Sequence, residues 1–219
     1  MKRNYNPDIV DAYRNYLEGE KWHYTFEERT GYLRFGMNLR GKLKTIQYAV
    51  CVKDDECTVY AVSPVSADAN DPEQMRQMEE FVCRANYGLR DGNFEIDVND
   101  GELRYKSYVN CEEDMPSEER IKWSIYCPAA MFERFGNGIL QIVVNNLPAR
   151  DAIKLSEGYR LPSELTDDDV ENDDDSNVSE NDDEDEDESE TTSLRELLRL
   201  IRGEIDSMGS DSDSEDDPE

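Results

Sequence analysis

GNFEIDVNDGELRYKSYV, Gly92 to Val109, is the stretch whose reading decides the fold. Large apolar and polar residues alternate from Phe94 to Val98 and again from Glu102 to Val109. Between the two runs, Asn99-Asp100-Gly101 is rich in residues that tolerate positive φ. Period-2 alternation on both sides of such a turn predicts a β-hairpin with one buried face.

The segments on either side have a different period. Upstream, Asp71-Pro72-Glu73 opens a helix in which Met75, Met78, Phe81, Val82 and Ala85 recur at intervals of three and four, and Asn86-Tyr87-Gly88 stops it. Downstream, Ser117 caps a helical region with Ile121, Ile125, Ala129, Phe132, Phe135, Ile139, Ile142 and Val143 at helical spacing. Pro128 lacks an amide proton and is expected to kink or divide that helix, and Pro148 follows its end.

Further toward the N-terminus, Trp22 to Phe26, Tyr32 to Leu39, Thr45 to Val52 and Cys57 to Val62 read as strands, the last two joined across Asp54-Asp55. Asn6-Pro7-Asp8 opens a first helix, with Ile9, Val10, Tyr13, Tyr16 and Leu17 on one face and Gly19 at its end. This order, with hairpin connections, predicts an α+β domain in which helices pack on a mainly antiparallel sheet. No GxGxxG follows a strand, and neither GxxxxGK[ST] nor GxSxG occurs, so the pattern does not point to a nucleotide-binding or α/β-hydrolase fold.

Charge divides the chain. Residues 164–219 hold 26 Asp and Glu against three Arg, which is −23 of the total −29 and leaves −6 for residues 1–163. The run DDEDEDESE, Asp182 to Glu190, has no apolar residue with which to offset its ordering entropy, so it reads as a solvated polyanion. The expected organisation is one domain over residues 1–150 and a disordered acidic tail over residues 151–219. The N-terminal residues are polar and no 18-residue apolar run occurs, so a cytoplasmic location and no membrane association are expected.

Met78, Asn86-Tyr87, Gly92-Asn93-Phe94-Glu95-Ile96-Asp97 and Asp100-Gly101-Glu102-Leu103-Arg104-Tyr105, with the helix after Ser117-Glu118-Glu119, resemble the bacterial YbjN family. There a helix ending near an Asn precedes a hairpin of the form GxFxxD, DGxxxY or DGxxxF. The resemblance runs from Thr45 to about Asn146 and consists of core and turn positions. It implies a fold similar to type III secretion chaperones, with helices on one face of a curved antiparallel sheet. It further implies domains that often associate in pairs, which makes a homodimer one expectation, and a non-enzymatic role in regulation or partner binding. It supplies no catalytic residues, and the acidic tail departs from it.

The residues themselves assemble no reactive set. His23 is the single histidine, so neither a metal triad nor a Ser/His/Asp set can be built around it. Cys51, Cys57, Cys83, Cys111 and Cys127 match no metal motif and read mostly as buried free thiols, and no cofactor is expected. Asp97 to Glu102 resembles the start of a calcium loop, but its Gly comes one residue early and position 12 is Tyr108 where an EF-hand has Glu.

One segment of the tail is amphipathic. Leu194, Leu197, Leu198, Ile201 and Ile205 follow helical spacing from Ser193, with Arg195, Arg199 and Arg202 between them. A helix of this length at about 193–206 is marginal alone, so these five residues form the candidate partner-binding stripe, for this chain, a second copy or another protein. Nucleic acid is excluded as a partner because binding it requires surplus Lys and Arg. The sequence thus reads as a non-enzymatic, chaperone-like or regulatory protein with a protein partner. The alternative is an acidic decoy or nucleic-acid mimic whose tail binds basic proteins.

Overall fold

The computed structural model describes residues 3–157. Helix α1 spans Pro7–Gly19, and its start is fixed as the sequence predicts: Asn6 Oδ1 accepts from the Asp8 amide at 2.9 Å, and Pro7 takes the first turn. Its buried residues are Ile9, Val10, Tyr13, Tyr16 and Leu17. Four strands follow, β1 Thr25–Glu27, β2 Tyr32–Asn38, β3 Thr45–Val52 and β4 Glu56–Val62. Then come α2 Pro72–Tyr87, β5 Asn93–Ile96, β6 Leu103–Asn110, α3 Glu118–Asn145 and α4 Ala149–Glu157.

The strands form one sheet in the order β1-β2-β3-β4-β6-β5, and every neighbouring pair is antiparallel. Register places Phe35, Tyr48, Ala61, Tyr105 and Phe94 in one row across five strands, and all five are buried. Helix α3 packs on β4 and β6, α2 packs on β5, and α1 packs on α3. The core therefore lies between one sheet face and the helices, the α+β arrangement expected from the sequence.

Two local devices hold the hairpin side of the sheet. In the β5–β6 turn, Gly101 adopts φ +77°, and a Cβ there would lie 2.0 Å from the Ala67 carbonyl oxygen, so only glycine fits. Asp97 Oδ1 accepts from both the backbone and side-chain amides of Asn99 at 2.8 Å, which makes this a closed turn. At the other side of β5, the Asn86 side chain donates to the Phe94 carbonyl at 2.9 Å and accepts from the Phe94 amide at 2.8 Å. Phe94 itself meets Tyr105, Phe132 and Phe135 edge to face, with centroids 4.9 to 5.5 Å apart.

The structure corrects three expectations. The strand expected from Trp22 begins at Thr25; the Trp22 indole instead turns onto Phe35 and Tyr126, at 5.1 and 5.9 Å. Of the two outcomes expected at Pro128, a kink or a division, the division does not occur: helix α3 runs 28 residues through it. Buried Tyr48 lies against this turn: its hydroxyl donates to the Ile125 carbonyl at 2.5 Å, and the Ala129 amide faces the hydroxyl oxygen. A side chain inserted into the hydrogen-bond ladder thus bridges the turn that the proline weakens.

The third correction concerns the boundary at 150. Residues 151–157, assigned to the tail by composition, belong to α4, whose Ala149, Ala152 and Ser156 are buried and which packs on α2 and α3. The Ala149 amide donates to Gln77 Oε1 at 2.7 Å. The rest of the expected tail, with Leu194, Leu197, Leu198, Ile201 and Ile205, lies outside the described residues.

Candidate partner-binding surface

Strand alternation that sends one set of side chains into the core sends the other set out, and none of the four described helices covers that second set. Register arranges it in rows. One row is Tyr32, Cys51, Thr58 and Tyr108; the next is Arg34, Ala49, Tyr60 and Lys106; a third is Gly36, Gln47, Val62, Arg104 and Glu95. The face is thus built mainly of tyrosine, arginine and small residues.

Its aromatic and cationic groups are stacked. The Arg104 guanidinium sits 4.3 Å from the centroid of the Tyr60 ring, and that of Arg34 lies 5.3 Å from the centroid of Tyr32. Arg104 also reaches Glu95 at 2.9 Å, and Lys106 bonds the other Glu95 oxygen. Partial burial raises the Glu95 carboxyl, but the hydrogen bonds from Lys106 and Arg104 outweigh it and hold the group below its ordinary range. Glu95 is therefore an anion at neutral pH, and the two cations beside it are held in fixed positions. Tyr108 stands out from this face as an exposed ring.

Cys51 lies within the face, half buried. Burial raises its thiol above the ordinary value, against the opposing hydrogen bond with Tyr32, so the sulfur is protonated at neutral pH and is a poor nucleophile. Cys57 and Cys127 are buried and pushed up to about 12 by that burial. The expectation of mostly buried thiols holds for these two; Cys111 is half buried and Cys83 is exposed on α2. His23 precedes β1 and is exposed. Among the described residues, no group of three or more His, Cys, Asp or Glu is placed to hold a metal ion. None of the described helices is long and apolar enough to cross a membrane.

One buried carboxylate stands apart from this face. Glu133 on α3 accepts the Arg40 amide at 2.6 Å and so fastens the loop between β2 and β3. Burial raises its carboxyl, opposed by backbone hydrogen bonds and by the charges of Arg40 and Lys44. The helical spacing singles out Phe132 and Phe135 and passes over position 133. An acid inside an apolar helical stripe was the signal for it.

A family model, YbjN, described as "Putative bacterial sensory transduction regulator", matches residues 10–141. That span begins well upstream of the Thr45 start of the resemblance read from the sequence and covers the open face from β1 to β6. No curated protein matches the chain.

Proposed function

The chain belongs to the YbjN family, and from that premise we propose that it is a non-enzymatic regulatory protein that works by holding a segment of a partner protein against the open face of its sheet. The observation that carries this reading is the set of Tyr–Arg stacks at Tyr32–Arg34 and Tyr60–Arg104 on a sheet face that no described helix covers. Tyrosine and arginine dominate the energetics of protein interfaces because each brings a large, rigid contact area and hydrogen bonds at its tip. The mode is chaperone-like: the sheet offers alternating side-chain pockets to an extended chain. Residues 158–219 act as a separate acidic region that favours a basic partner and speeds its arrival. The site of action is the cytoplasm, a reading supported by the five free thiols.

Site-specific photocrosslinking tests this proposal. A photoreactive residue at Thr58, in the middle of the open face, should trap a discrete partner in cells, while the same residue at Arg76 on the outer surface of α2 should not. Equal crosslinking from both positions, or none from Thr58, would remove the open face as the binding surface. The charge of residues 164–219 also favours a second reading, in which that region is a decoy for basic proteins. A peptide of those residues that fails to bind a basic protein at low salt would sink it.

A further inference from the structure

Where Tyr32 pairs with Cys51, the sheet ends at an open cleft of about 870 Å3 between the N-terminal segment, the β1–β2 turn and the β3–β4 turn. Its walls carry Arg3, Arg29 and Lys53 against a single carboxylate, Glu28. Residues 1–53, which supply all of these walls, hold ten Lys and Arg against six Asp and Glu, so the cleft is built from a cationic stretch of an otherwise acidic chain. The cleft is also held in shape from both sides. Tyr5 donates from its hydroxyl to the Glu28 carbonyl at 3.0 Å. Asn6 donates from its backbone amide to the Lys53 carbonyl at 2.9 Å and from its side chain to the Asp54 carbonyl at 3.2 Å.

The Tyr5 ring is buried beneath Gly31, which has φ +77° and where a Cβ would lie 2.5 Å from the ring. The N-terminal segment is therefore keyed into the fold, and a ligand meeting it would not have to order it. Arg29 and Lys53 on its walls are held by solvent-facing ion pairs. Arg29 reaches Glu27 at 3.5 Å and Lys53 reaches Glu56 at 2.5 Å, both through side chains open to solvent, where an ion pair contributes little net stability and a bound anion can compete for the cation.

We infer that this cleft binds a small anionic ligand, a carboxylate or phosphate monoester on an apolar body. Arg3, Arg29 and Lys53 take the charge, while Tyr32 and Cys51 take the body. For its biological use this rests on the regulatory reading above, in which the ligand is the effector; its binding chemistry is independent of any partner.

The test is alkylation of the full chain by iodoacetamide at alkaline pH, where enough Cys51 thiolate forms to be labelled, comparing Cys51 inside the cleft with exposed Cys83 as the internal reference. The probes are phenyl phosphate and benzoate, with inorganic phosphate and phenol as controls. Labelling of Cys51 should slow by 1 + [L]/Kd, about tenfold at ten times Kd, for one or both anionic aromatics, while Cys83 is unaffected. The double variant Arg29→Ala, Lys53→Ala should abolish that protection, and Arg29→Lys should keep it. Unchanged Cys51 labelling, equal protection by phenol, or protection that survives the double variant would overturn the inference. Equal protection by inorganic phosphate would overturn the apolar body. A chain that fails here yet crosslinks through Thr58 loses only the cleft, and the converse result loses only the partner face.

Discussion

Tyr48→Phe removes one oxygen from the centre of the core and tests how α3 survives its proline. The ring and its stacking on Phe35, at 4.7 Å, are kept, so the variant isolates the hydroxyl. What is lost is the bond to the Ile125 carbonyl and the acceptor that the Ala129 amide faces, both in a region closed to water. A buried polar group left without a partner costs about 1–3 kcal/mol. For a domain of this size that is a fall in Tm of about 2–12 °C. Pro128→Ala restores an amide at the weakened turn and lets the backbone close its own ladder. In that background Tyr48→Phe should cost about 1 kcal/mol less, a coupling large enough to resolve. The assay is urea unfolding of the four proteins in the cycle, followed by far-ultraviolet circular dichroism. Additive costs, or no cost for Tyr48→Phe alone, would refute the account of the hydroxyl as part of the helix ladder.

Asn86→Ala removes both bonds to Phe94 and should destabilise by about 1–2 kcal/mol, less than a deep core loss because β5 lies at the rim of the sheet. Hydrogen exchange at the Phe94 amide should accelerate while β3 amides stay unchanged; equal acceleration in both would mean the effect is global. Glu133 gives a pH prediction. Burial holds its carboxyl above the ordinary value, so the folded chain keeps a proton that the unfolded chain has released. The contribution of Glu133 to stability is therefore fullest at low pH and falls as pH rises from the unfolded pKa toward the folded one. Glu133→Gln cannot lose that proton, so its stability relative to wild type should rise as pH climbs above the ordinary glutamate value of about 4. A difference that stays constant over that range refutes the assignment.

The helix starts were legible because their caps are local: Asn6-Pro7 and Asp71-Pro72 need nothing distant to work. The inward faces of β2, β3, β4 and β6 followed from alternation alone. Sheet order was not legible, because the pairing of β4 with β6 joins Glu56 to Asn110 across a whole helix and hairpin. Helix α4 was hidden because its buried positions are small, Ala149, Ala152 and Ser156, and small residues barely mark an apolar stripe. Tyr48 and Pro128 could each be read, but not that one repairs the other. The cleft shares this cause, since Arg3, Arg29 and Lys53 come together only when the N-terminal segment meets two separate turns.

Asn86 carries a consequence for assembly. Its amide group has the same donor and acceptor as a peptide bond, and it meets Phe94 as a neighbouring strand would. The outer edge of β5, four residues long, is thereby interrupted near its middle by a strand of length one. Another chain that tried to extend the sheet there would find its central docking point already taken, and a ribbon growing from copy to copy could not pass through it. The molecule therefore has a closed end as well as an open face, and any polymer it formed would have to begin somewhere other than β5.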